Sequence, residues 1–174
     1  VFLQLKGFSI QQVVVVELLY VLTIVLLEVP SGALSDRWSR KYVLSLSGLF
    51  FALYILLFAT STSYQGFLLG SGLAGVGLVL LSGTNTSMLF DTLKELKKEQ
   101  EYEKYLGRCR AIGATVFMGA ASIGGIIGLK YGYSVAFWAS LPSMIMAIVV
   151  PLTMIEPYFH RSTGEVRYWQ HVKM

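Results

Sequence analysis

Between Glu28 and Leu44 the chain reads Glu-Val-Pro-Ser-Gly-Ala-Leu-Ser-Asp-Arg-Trp-Ser-Arg-Lys-Tyr-Val-Leu, a short charged stretch between two long apolar runs. Asp36, Arg37, Arg40 and Lys41 stand close enough in sequence to make charge-assisted hydrogen bonds and ion pairs, contacts that can form in one conformation and break in another. Asp91 ends a later apolar run. Glu17 stands inside a run, where a carboxylate costs at least about 2.5 kcal/mol and so faces a cavity or a partner. It is either a protonatable or substrate-contacting group in a central cavity, or a side chain that reaches the interface or bonds a neighbouring helix. Glu28, one turn before Gly32, is expected to be structural: it accepts hydrogen bonds from the hairpin backbone or pairs with Arg40 or Lys41. Asn85, in a polar patch with Ser82, Thr84, Thr86 and Ser87, lines a pathway or bonds across helices, and bonding is the preferred reading.

Other chemistry is poorly represented. A serine–histidine hydrolase within the membrane needs a base beside its nucleophile, yet His160 and His171 both lie in the tail after the last apolar run. The same histidines lack the company that a zinc site requires, so no metal site is expected. Cys109 is the single cysteine, which excludes a disulfide framework.

The elements that must position these groups are spans. Charged residues make up 14% of the 174 and hydrophobic residues 55%, against roughly 25% charged in soluble domains, which points to lipid as the solvent. A spanning helix needs about 20 mostly apolar residues. Five runs meet that length, at about 8–29, 41–59, 64–90, 112–129 and 133–155. Pro30 and Gly32 are expected to break the first helix and open a tight hairpin into the second. The segment 91–110 reads as a charged connector, able to form a short solvated helix through pairs such as Glu101 with Lys104. Small residues recur at Gly66, Gly70, Ala74 and Gly77, and again at Ala120, Gly124 and Gly128, a spacing that lets helix backbones approach closely in lipid.

Loop charge sets the orientation. Of the 14 lysines and arginines, 12 fall after the first, third and fifth runs, and only Lys6 and Lys130 fall on the other side. The positive-inside rule then places 30–41, 91–110 and the carboxyl tail in the cytoplasm, which accounts for the basic balance without any nucleic-acid partner.

Gly32-Ala-Leu-Ser-Asp36-Arg37-Trp-Ser-Arg40-Lys41-Tyr-Val-Leu44 resembles the signature between helices 2 and 3 of the major facilitator superfamily, G-x-L-a-D-R-x-G-R-[RK]-x-x-L. Seven of the thirteen positions match, with Ser39 where the pattern has glycine. The resemblance implies an all-α integral membrane fold, the N-terminal six-helix bundle of such a transporter truncated at helix 1. Residues 1–157 would be that partial domain, with Val1 to Leu5 the tail of helix 1, and 158–174 the start of a cytoplasmic central linker. It implies a secondary transporter moving a small solute by alternating access, with a proton as one candidate coupling ion, no cofactor and no enzymatic activity. Its partners would be the bilayer of the plasma (inner) membrane and a missing C-terminal half. Gly32, Asp36, Arg37, Arg40, Lys41 and Asp91 would form a cytoplasmic gate, with Asp91 paired to Arg40 and Asp36 free to meet a helix N-terminus of the other half. A scaffold or receptor that keeps the fold without transporting is the alternative.

Overall fold

A computed structural model describes residues 2–157, apart from the side chains of Ala33, Asp36 and Arg37. The elements are α1 (Phe2–Leu5), α2 (Ile10–Arg37), α3 (Arg40–Thr60), α4 (Tyr64–Glu95), a 3-10 turn at Glu99–Glu101, α5 (Tyr102–Tyr131) and α6 (Tyr133–Thr153). No strand occurs among the described residues, and the five helices α2 to α6 are long and apolar enough to cross a membrane. Each holds a long apolar stretch with few charges, as a helix solvated by lipid needs.

Local chemistry starts and stops them. At the start of α2 the Ser9 hydroxyl accepts from the Gln12 N–H and the Gln12 side chain accepts from the Ser9 N–H, a reciprocal capping box. The Ser63 side chain caps α4 by accepting from the Gly66 N–H. Gly132, at φ +94, turns the chain from α5 into α6 in a single residue, a backbone conformation that side-chain-bearing residues resist.

α4 packs against both α2 and α3, and α6 packs on the far side of α3. Two glycines set these approaches. A Cβ on Gly75 would lie 2.9 Å from the Tyr20 carbonyl oxygen of α2, and one on Gly48 would lie 2.9 Å from the Ala147 backbone of α6. The α4 stripe of small residues is a packing seam too, as its spacing predicts: a Cβ on Gly70 would lie 2.8 Å from the Phe58 ring and one on Gly77 3.2 Å from the Phe51 ring, both of α3. The second stripe differs: Ala120 is exposed, nothing among the described residues lies within 4 Å of a Cβ on Gly124, and only Gly128 meets a neighbour, the Tyr133 ring. α5 touches the bundle mainly through α6 and carries Ile112, Val116, Phe117 and Met118 outward.

At the end opposite the charged hairpin, α1 is pinned by aromatic rings. Phe2 lies 5.1 Å from Phe137 and 6.0 Å from Phe67 by ring centroids, and Phe67 is fully buried and 5.1 Å from Phe58. Edge and tilted pairs at these separations add to the area that they bury.

Two expected breaks are absent. α2 passes through Pro30 and Gly32 without ending and stops only at Trp38, so the turn between the helices is Trp38 and Ser39 alone. Proline removes one N–H, but ending the helix there would free several backbone groups, while hydroxyls such as those of Ser31 and Ser35 bond to the Glu28 and Gly32 carbonyls in the same turns. The connector at 91–110 is likewise mostly helix. α4 continues through Asp91 to Glu95, and α5 already begins at Tyr102, because helices do not need to end where the hydrocarbon ends and Glu and Lys sustain them in water. The chain turns between them in a Schellman motif, with Lys98 N–H donating to the Leu93 carbonyl and Lys97 N–H to that of Lys94. Lys97 takes the left-handed position, at φ 55, that glycine ordinarily fills. The expected Glu101 to Lys104 pair is present at 2.8 Å.

Candidate functional site

The charged ends of α2, α3, α4 and α6 meet at one end of the bundle. The first turn of α3 carries no acidic residue, and the Ser39 side chain makes no cap of its own. A carboxylate arrives instead from 116 residues away: Glu156, just past the end of α6, accepts from the Arg40 backbone N–H at 2.6 Å and from the Ser39 hydroxyl at 2.6 Å. An anion is stabilised there by the free N–H groups and by the positive end of the helix dipole.

The Arg40 side chain runs the other way. Its Nη1 lies 2.6 Å from Asp91 Oδ2 on α4, with side-chain exposures of 8% and 18%. The N–H groups at Nε and Nη1 make no aligned hydrogen bond, so the contact is an ion pair by proximity. Arg40 thereby joins three elements, its backbone to the α6 terminus and its guanidinium to α4. The pairing of Arg40 with Asp91 matches the sequence reading. Glu28, expected as another partner, is exposed on α2, and Arg40 is engaged by Asp91 instead.

The other motif residues spread along the same end. Gly32 lies inside α2 with nothing within 4 Å of a Cβ built on it. Lys41 is half-buried, its ammonium 5.3 Å from the Tyr42 ring centroid. The side chains of Asp36 and Arg37 lie outside the described residues, although their backbone forms the last turn of α2. Ser39 has φ −59, so glycine is not needed for the turn, and its hydroxyl supplies a bond that glycine would lack.

Glu156 is the member that sequence reasoning missed, lying between the last apolar run, which ends at about 155, and the linker expected from 158. The α3 start has no acidic residue in its first turn, and a carboxylate directly before Pro157 is the sort of group that could fill the role. Residues 158–174, expected as a linker and including His160 and His171, lie outside the described residues.

Two clefts hold the remaining candidates. Glu17 lines one of about 200 Å³ between α2, α3 and α4, with Tyr20, Phe51, Tyr54, Phe58 and Ser71. It stands seven residues after Ile10, roughly 10 Å into the helix at 1.5 Å per residue. Asn85 lines the other, about 270 Å³ near the charged end, with Thr86, Thr92, Leu106, Cys109 and Met154. The polar patch around it does not bond across helices through its hydroxyls: Ser82, Thr86 and Ser87 donate to carbonyls three or four residues back on α4. That is the usual local bond of such hydroxyls in a helix. No group of residues suited to holding a metal occurs among the described residues.

Comparison with known proteins agrees with the fold. The family model described as the Major Facilitator Superfamily matches residues 3–169. An uncharacterized transporter of Buchnera aphidicola subsp. Schizaphis graminum (strain Sg) is 25% identical over 137 residues, covering 79% of this chain and 34% of the relative. The chain thus spans about a third of the length of the curated relative that it matches. No solved structure matches.

Proposed function

The chain belongs to the major facilitator superfamily, and from that premise we propose that it forms one half of a secondary transporter that carries a small solute across the membrane by alternating access. In this reading α2 to α6 are five of the six helices of the amino-terminal half. The charged end faces the cytoplasm of a cell bounded by the plasma (inner) membrane, and the second half closes the solute pathway. A proton is the first coupling ion to test, since Glu17 is the carboxylate furthest inside a span. The protein acts without enzymatic chemistry.

The observation that carries the proposal is the buried Arg40 to Asp91 pair, joined through the Arg40 backbone to Glu156. Alternating access needs a half that moves as one body, and this contact ties the ends of α3, α4 and α6 together. Gly32, Asp36, Arg37 and Lys41 then form the edge of that body, where Asp36 meets a helix N-terminus of the other half when the cytoplasmic side is closed.

The test is uptake into proteoliposomes by the protein, with and without a pH gradient, over a panel of sugars, amino acids and organic cations. Asp36→Asn is expected to reduce flux of the transported solute by at least tenfold with folding retained. Unchanged flux would remove the gate from the mechanism, and flux that no gradient affects would remove the proton.

A further inference from the structure

The cleft around Glu17 has a composition that the gate does not use. Two of its walls are aromatic, contributed by Tyr20 of α2 and by Phe51, Tyr54 and Phe58 of α3, and α4 closes it with Ser71 and Ala74. Among the described residues Glu17 is the only charged one lining it. The nearest basic residues in sequence are Lys6, before α2 begins, and those of the charged hairpin at the far end of that helix. A carboxylate at this depth wants a positive partner, and no lysine or arginine of the lining supplies one.

What the walls offer is specific. The faces of tyrosine and phenylalanine rings attract cations, most strongly when the cation sheds its water and presents alkyl groups to the rings. A hard metal ion would need several oxygen ligands. Here the lining offers one carboxylate, two phenols and the Ser71 hydroxyl, with neither a second carboxylate nor a side-chain amide. At about 200 Å³ the cleft lies below the volume of drug-sized sites, roughly 300–1,000 Å³.

We propose that this cleft binds a small organic ammonium ion, with the Glu17 carboxylate as counter-ion and the rings of Tyr20, Phe51 and Tyr54 around its alkyl groups. The proposal deepens the transporter reading by naming a class of solute, and rests on that reading only for passage after binding. Binding is therefore measured without transport.

The experiment is equilibrium binding of radiolabelled tetraethylammonium to the protein in nanodiscs at pH 8, alongside thermal unfolding of each variant. Saturable binding is expected, weakened at least tenfold by Glu17→Gln and several-fold by Tyr54→Leu, and kept by Glu17→Asp, Tyr54→Phe and Glu28→Gln. Absence of saturable binding, or equal affinity in Glu17→Gln and wild type, overturns the proposal, as does displacement by millimolar sodium. Should Glu17→Gln fail to fold, Tyr54→Leu decides: an unchanged affinity refutes the aromatic site. Binding without flux in proteoliposomes would refute transport and leave the site standing, whereas flux of another solute without ammonium binding would do the reverse.

Discussion

Replacing Asp91 removes the carboxylate that lies 2.6 Å from the Arg40 guanidinium, a side chain just 8% exposed. At that separation the gross Coulomb attraction is about 6 kcal/mol for an effective dielectric of ~20, and desolvation of both groups offsets most of it. What remains after truncating one partner is the cost of a buried, uncompensated charge, roughly 3–5 kcal/mol. Asp91→Ala should destabilise the protein by about that much. Arg40→Met leaves the carboxylate, which at 18% exposure reaches water more easily, and keeps the backbone N–H that binds Glu156; about 1–3 kcal/mol is expected. The double variant removes both charges, so its loss should fall short of the sum of the single losses by at least about 1.5 kcal/mol, within the range seen for residues in contact. Reversible unfolding in mixed micelles, followed by circular dichroism, measures all three differences. Additivity within about 0.5 kcal/mol, the behaviour of independent sites, would refute the claim that this pair joins α3 to α4.

Ser39→Ala removes one of the two bonds to Glu156 and should cost about 1 kcal/mol, while Glu156→Ala removes both charge-assisted bonds and should cost about 2–4; the loss on adding Ser39→Ala to Glu156→Ala should be close to zero in the same unfolding assay. Gly48→Ala pushes a methyl to 2.9 Å from the Ala147 backbone and should destabilise by about 1–3 kcal/mol, whereas Gly83→Ala, with open space around it, should be neutral or slightly stabilising. Lys97→Gly relieves a left-handed backbone at φ 55 and should stabilise by up to about 1 kcal/mol, read as a higher midpoint of thermal unfolding.

Much of the architecture was legible because the bilayer imposes a length and a composition. The five spans follow from runs of apolar residues, and the α4 packing seam follows from glycines and alanine at helical spacing. Ends were harder to read. Pro30 and the charges of 91–110 look like boundaries in sequence, but backbone hydrogen bonding carried α2 and α4 past them. The α5 stripe, with the same spacing as that of α4, faces away from most of the described bundle, since spacing says which residues share a face and nothing about what lies opposite.

The chain by itself determined the solvent and the number of long helices, because these depend on local composition; the pairing of Arg40 with Asp91 was an implication of the family resemblance, which the structure bears out. Only the tertiary structure decided that Glu156 caps α3 and that Glu17 shares a cleft with Tyr54. Both depend on which helices lie side by side, and a capping carboxylate 116 residues from the N–H it serves leaves no periodic trace in the sequence.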